Sequence, residues 1–131
     1  MEQHQRQTAT DAALETYKAV RKKFYEAADE TFGPGFLSMT EYYYMKTKGL
    51  SPFSTLFSEP RVVYDEWVRL FRGEEPVRLL VEKVAGPGYS VLLQSMQRND
   101  GIKVWDFLDK MMSRNDDDNG GNNDNSLSLA A

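Results

Sequence analysis

The sequence predicts an all-α fold, a compact bundle of about five helices followed by a disordered acidic tail. Large apolar residues recur at spacings of three and four through most of the chain, which is the period of a helix with one buried face. Gly33-Pro34-Gly35 and Gly86-Pro87-Gly88 interrupt this pattern, because glycine and proline end helices. Hydrophobic residues make up 40% of the 131 residues, which is enough for one core.

Threonine and glycine mark the ends of the first predicted helix. Thr8 or Thr10 can cap its first turn, and Gly33 ends it, since glycine readily adopts the left-handed conformation at a helix C-terminus. The apolar side chains between these ends follow the helical spacing and share one face: Leu14, Tyr17, Val20, Phe24 and Ala27 or Ala28. This face is suited to burial.

The second predicted helix spans Leu37 to Lys48. Ser38 is expected to cap it, because Glu41 follows three residues later at the spacing of a capping box, and Gly49 is expected to end it. Ser51-Pro52 then predicts a capped short turn. Further helices are expected from Pro60 to about Phe71, from near Pro76 to Gly86, from Tyr89 to Gln97 and from Ile102 to about Ser113. A short strand at Val91 to Leu93 is the alternative for Tyr89 to Gln97.

Charge is distributed unevenly between the body and the tail. The net charge of −4 comes entirely from Asp116, Asp117, Asp118 and Asp124, because the preceding residues contain 16 basic and 16 acidic side chains. We divide the chain into a flexible leader at 1–7, a helical domain at 8–113 and a disordered tail at 114–131. A neutral body predicts no strong attraction for nucleic acid. No apolar stretch suits a membrane or a signal peptide, so cytoplasmic localisation is expected.

The sequence contains no motif typical of catalysis, metal binding or cofactor binding. The absence of cysteine excludes thiolate chemistry, and the single histidine, His4, lies in the polar leader without a partner. Asp116-Asp117-Asp118 lacks the glycine and closing glutamate of a calcium loop. Gly86-Pro87-Gly88 is not followed by the lysine or threonine of a phosphate loop. The sequence therefore predicts a protein that is not an enzyme.

Two aromatic segments are candidate contact surfaces for a partner. Tyr42-Tyr43-Tyr44-Met45 places four large residues in succession on a helix, so at least one should point outward. Tyrosine is common in interfaces, but a thick core would explain the run equally well. Phe53 and Phe57 lie in a short segment that begins with proline, and they form either a core plug or a docking surface, with core favoured. The candidate interface is therefore Tyr42, Tyr43, Tyr44, Phe53 and Phe57.

Several of these segments together resemble a known family. They are the stretch from Phe36 to Leu50 with Tyr42-Tyr43-Tyr44, the motif Lys48-Gly49-Leu50-Ser51, the helix ending in Phe71-Arg72-Gly73 and the apolar residues from Val77 to Val84. Over residues 10 to about 95 the chain resembles the small archaeal helical family called the Nitrosopumilus output domain. The resemblance implies an output or interaction module in archaeal signalling, and it implies no catalytic residues. The segment from Tyr89 to Ser113 has no counterpart in the family's pattern.

The sequence favours a non-catalytic protein-interaction or signal-output module without a cofactor. Its expected partner is another protein or a second copy of the chain, and not a membrane. The alternative is a DNA-binding regulator in which Gly49-Leu50-Ser51-Pro52 forms the turn of a helix-turn-helix and Arg61, Arg69 and Arg72 reach phosphates. The neutral body argues against this alternative.

Overall fold

The computed structural model describes the backbone of residues 2–121 and the side chains of residues 12–113. These residues form seven α-helices and one 3₁₀ turn, with no strand among them, which confirms the all-α prediction. The helices are α1 (Glu2–Phe32), α2 (Phe36–Lys48), α3 (Pro52–Thr55), α4 (Pro60–Phe71), α5 (Glu74–Ala85), α6 (Tyr89–Gln97) and α7 (Gly101–Gly121). The 3₁₀ turn, Gly86–Gly88, joins α5 to α6.

The helix ends agree with the sequence where proline or glycine sets them. Ser51 caps α3 by accepting a hydrogen bond from the Phe53 backbone N–H at 3.1 Å, and α4 begins at Pro60 as predicted. The helical backbone of α1 begins at Glu2 and that of α7 continues to Gly121. The division into a leader at 1–7, a domain at 8–113 and a tail at 114–131 stays a prediction. The remainder of the predicted tail lies outside the described residues. Residues 89–97 form a helix and not a strand.

The predicted capping box of α2 is wrong. The residue at the N-cap position is Gly35, in the left-handed conformation with φ 85°, and no side chain caps this end. Ser38 is exposed within the helix, whereas Glu41 is buried and its carboxylate points toward α1. The local spacing matched the motif, but burial of Glu41 against α1 determined where the carboxylate went.

Aromatic rings from three helices meet at the centre of the core. Phe24 of α1 lies 5.7 Å from Phe53 of α3 and 5.6 Å from Trp67 of α4, measured between ring centroids. These separations are those of favourable tilted aromatic pairs. Apolar side chains of α5, α6 and α7 belong to the same core: Val77, Leu80, Val81, Leu92, Met96, Val104 and Leu108. The core thus draws on helices α1 to α7, and α2 lies at its edge with one side covered.

Candidate interaction surface

Helix α2 carries large side chains on two opposite sides. Its buried side consists of Leu37, Thr40, Glu41 and Tyr44. At 100° per residue, a second stripe runs along the other side of the helix. We call this stripe, together with the exposed Leu50 just past the helix end at Gly49, the outer face, and it comprises Met39, Tyr42, Tyr43, Lys46 and Leu50. An ordinary amphipathic helix has polar residues at these positions.

The outer face is exposed over about half of its large apolar area. Met39 and Tyr42 are each 55% exposed, Tyr43 is 49% exposed and Leu50 is 58% exposed. The rings of Tyr42 and Tyr43 lie edge to face with their centroids 5.3 Å apart, so they pack on each other and not on the core. The exposed large apolar residues outside α2 and its end are spread over other helices: Leu14, Leu79, Val91 and Ile102.

The charge on the outer face is positive. The Lys46 ammonium lies 5.6 Å from the centroid of the Tyr42 ring, which is within the range of a cation–π contact. Among residues 12–113 it has no carboxylate partner. Lys48, at the end of the same helix, lies 3.9 Å from Glu66. The only carboxylate of α2 is Glu41, which is buried on the other side.

A polar cluster on the buried side sets the orientation of α2. The Arg21 guanidinium donates to the Glu41 carboxylate at 2.9 Å, and the Tyr25 hydroxyl donates to the same Glu41 oxygen. The Ser51 hydroxyl donates to the second Glu41 oxygen at 3.2 Å. Glu41 therefore links α1, α2 and the start of α3, and this linkage holds the outer face toward solvent. Arg21 also stacks on Tyr25, with 4.6 Å between guanidinium carbon and ring centroid.

Two pKa values in this cluster depart from their ordinary ranges. Burial alone would raise the pKa of Glu41, but the hydrogen bonds from Arg21 and Tyr25 outweigh it, so the pKa lies below its usual value. Burial and the hydrogen bond to Glu41 raise the pKa of Tyr25 to about 12. Both shifts favour an ionised Glu41 and a neutral Tyr25, which is the pair required for the observed hydrogen bonds. The cluster therefore has a structural role.

The structure divides the five predicted interface residues. Tyr42 and Tyr43 are exposed on the outer face. Tyr44 and Phe53 are fully buried and belong to the core, so their place in the candidate interface was wrong. For Phe53 the core was the favoured alternative. Phe57 is half-buried and packs edge to face on Trp105, with 4.8 Å between centroids. Sequence reasoning missed Met39, although it precedes Tyr42 and Tyr43 by three and four residues, and it missed Leu50, which follows the end of α2.

Among the described residues, no group of three or more His, Asp or Glu side chains is placed to hold a metal ion. A groove of about 650 Å³ lies between the end of α1, α5 and the 3₁₀ turn, and its charged groups are already paired. Glu82 accepts from Arg78 at 2.8 Å, and Lys83 lies 2.9 Å from Glu30. His4 and Asp116-Asp117-Asp118 lie outside the residues whose side chains are described.

Two of the three arginines proposed to contact DNA are engaged within the protein. Arg61 donates to Asp65 at 2.9 Å and to the Gln97 carbonyl oxygen at 2.8 Å, and Arg69 is paired with Glu66. Phosphate contacts would have to replace these bonds. Gly49-Leu50-Ser51-Pro52 joins α2 to α3, which has only four residues and is too short to act as a recognition helix.

This geometry defines a small helical bundle with one exposed aromatic and cationic helix face. The sequence matches no family model, and it resembles none of the curated proteins or solved structures closely enough to count as a match. The likeness to the Nitrosopumilus output domain stays a prediction. Within the described part of the chain, no helix is both long and apolar enough to cross a membrane.

Proposed function

We propose that this chain is a non-catalytic protein-interaction module that binds its partner through the outer face of α2. The observation that carries the proposal is the presence of two stripes of large residues on opposite sides of one helix. The core takes up one stripe, with Leu37 and Tyr44 fully buried. Folding leaves the second stripe half-exposed, so the packing of the described residues gives no reason for its composition.

The composition of the outer face supports binding. Tyrosine provides large contact area at a low cost in side-chain entropy, and its hydroxyl tolerates water in the free state. Methionine adapts its shape to a partner. With roughly 200 Å² for each large side chain, the four apolar side chains at about half exposure offer on the order of 400 Å². That area is within the size of the functional patches found on monomeric proteins.

The proposal can be tested by purifying the full chain from its source cells together with its bound material. We expect a specific protein to be retained by the native chain and lost from a Tyr43→Ala variant. Val91→Ala is the matched control, because Val91 is 55% exposed on α6, away from the outer face, and its truncation should leave binding unchanged. All three proteins should give the same thermal unfolding midpoint, since both substitutions are on the surface.

The result that contradicts the proposal is equally specific. Recovery of nucleic acid that dissociates steeply with salt, retained equally by Tyr43→Ala, would favour the DNA-binding alternative. Equal loss of the partner from Tyr43→Ala and Val91→Ala would place the contact somewhere other than the outer face.

A further inference from the structure

We infer that the outer face of α2 binds an amphipathic helix of a partner protein whose apolar stripe is flanked by acidic residues. This inference rests on the proposed function and specifies the chemistry of the partner. It depends on two properties of the described residues: a helical surface without a sheet edge, and the sign of its charge.

The first property concerns the shape of the partner. Residues 2–121 contain no strand, so a peptide cannot bind there by extending a sheet. The backbone hydrogen bonds of α2 are made within the helix, which leaves only side chains for recognition. From Met39 to Lys46 the stripe extends about 10 Å along the helix axis. A partner helix laid along it would cover the stripe with about two turns of its own apolar face.

The second property concerns charge. Residues 36–50 contain three charged side chains, Glu41, Lys46 and Lys48. Arg21 pairs with Glu41 at 2.9 Å on the buried side, so no carboxylate of α2 is available to a partner. Lys46 lies on the outer face itself, over Tyr42, without a carboxylate partner among residues 12–113. A partner carboxylate beside the stripe would pair with Lys46, whereas a basic partner would be repelled.

A second copy of the chain fits the outer face poorly. A stable homodimer buries about 800 Å² on each partner, more than the roughly 400 Å² of apolar area on the outer face. Two-fold pairing would also place a second Lys46 against the same face, which contains no carboxylate to pair with it.

The acidic tail of the same chain also lacks the required pattern. It contains Asp116, Asp117, Asp118 and Asp124, but its only large apolar residues are Leu127 and Leu129. A spacing of two residues places these leucines on opposite sides of a helix, so they cannot form an apolar helical stripe. The tail therefore has a charge complementary to that of the outer face, but it lacks an apolar helical stripe.

The test is site-specific photocrosslinking with the full chain. A benzophenone amino acid replaces Tyr43, the protein is irradiated in an extract of its source cells, and the crosslinked peptide is sequenced. We expect a segment of another protein with apolar residues three and four apart and flanking Asp or Glu. The same crosslinker at Val91 is the control and should not capture that segment. Lys46→Glu should lower the crosslinking yield about tenfold, and Lys46→Arg should preserve it.

Each other outcome overturns the inference in a distinguishable way. A crosslinked segment that is basic, neutral or without helical spacing would show that the partner does not bind through an acidic amphipathic helix. The proposed function would still hold. The same holds if Lys46→Glu leaves the yield unchanged. A crosslink to a second copy or to residues 114–131 would identify a different occupant. If position 43 captures no protein at all, the proposed function fails together with this inference.

Discussion

The Asn99 side chain caps a helix that begins 39 residues earlier in the chain. Its amide oxygen accepts a hydrogen bond at 3.1 Å from the backbone N–H of Arg61, in the first turn of α4. Glu59, at the N-cap position of α4, makes no such side-chain bond. Asn99 has a φ of 60°, in the left-handed region that asparagine tolerates better than most residues. The Arg61 side chain in turn donates to the Gln97 carbonyl oxygen, so two hydrogen bonds join residues 97–99 to the first turn of α4.

Replacing Asn99 should destabilise the bundle, because Asn99 both caps α4 and adopts a left-handed backbone conformation. Asn99→Gly loses the cap and keeps the left-handed backbone, so it should lower the free energy of unfolding by about 1 kcal/mol. Asn99→Ala loses the cap and adds backbone strain, for a total of about 2 kcal/mol. Asn99→Asp retains an acceptor and should remain within about 0.5 kcal/mol of the native chain. Urea unfolding at neutral pH measures the free energy of unfolding of all three variants. Equal losses for Asn99→Gly and Asn99→Ala would show that alanine adds no backbone strain at this position.

Gly101 allows α7 to begin in contact with the backbone of Phe57. A Cβ at position 101 would overlap the Phe57 carbonyl oxygen and lie 2.9 Å from its carbonyl carbon. Helix propensity alone predicts that Gly101→Ala stabilises the protein by up to about 1 kcal/mol. We expect destabilisation of about 1–3 kcal/mol instead, because two backbone segments must separate.

Gly88→Ala is the matched control for Gly101→Ala. Its Cβ would lie 3.4 Å from the Phe107 ring, which can move, and its φ of −89° suits any residue. The thermal unfolding midpoint should therefore change little for Gly88→Ala and fall clearly for Gly101→Ala. Similar midpoints for the two variants would show that the contact between α7 and Phe57 is not close.

The stability of the protein should fall in acid through Glu41. The pKa of Glu41 in the folded protein lies below its ordinary value of 4.5, so the unfolded chain takes up a proton first as the pH falls. The contribution of Glu41 is complete above pH 4.5 and is lost as the pH falls through the folded pKa. Urea unfolding of the native chain and Glu41→Gln, at neutral pH and below 4.5, measures this loss. The difference between the two proteins should shrink in acid.

At neutral pH, Glu41→Gln should itself destabilise the protein by about 1–3 kcal/mol, since it weakens charged hydrogen bonds from Arg21 and Tyr25. Arg21 is partly exposed, and solvent moderates the loss of its partner. A difference that stays constant from pH 7 to acid would show that the Glu41 carboxylate is not preferentially ionised in the folded state.

In alkali the same cluster should lose stability through Tyr25. Its pKa of about 12 in the folded protein exceeds the ordinary value of 10.0, so the unfolded chain ionises first as the pH rises. The contribution of Tyr25 is complete below pH 10 and is lost between about 10 and 12. Tyr25→Phe should reduce the slope of stability with pH in this range. An unchanged slope in urea unfolding experiments would assign the alkaline loss to other groups, such as the buried Tyr44.

The neighbouring residues Tyr43 and Tyr44 should respond very differently to truncation. Tyr43→Ala should change the free energy of unfolding by less than about 0.5 kcal/mol, because the side chain is half-exposed on the outer face. Tyr44→Ala should cost about 3–5 kcal/mol, because it leaves a cavity at a fully buried position. Calorimetry of the two variants checks the contrast. Comparable losses would mean that α2 is rotated relative to the orientation described above.

Several helix ends could be predicted from the proline and glycine residues at those positions. The starts at Pro52 and Pro60 and the end of α2 at Gly49 were all expected. These ends depend on the backbone preferences of single residues, which act at short range. The predicted capping role of Ser38 was wrong because a long-range contact determined the position of its partner. Glu41, the expected partner of Ser38, is hydrogen-bonded to Arg21, which lies 20 residues away in the chain.

The sequence by itself determined the helical class of the protein, most of its helix ends and the presence of one core, because periodicity and backbone preference are local properties. Only the tertiary structure decided which tyrosines of Tyr42-Tyr43-Tyr44 face the core. Both sides of α2 carry large residues, so its pattern alone does not orient it. The Arg21–Glu41 contact and the burial of Leu37 and Tyr44 select one rotation of the helix, and this rotation exposes the outer face.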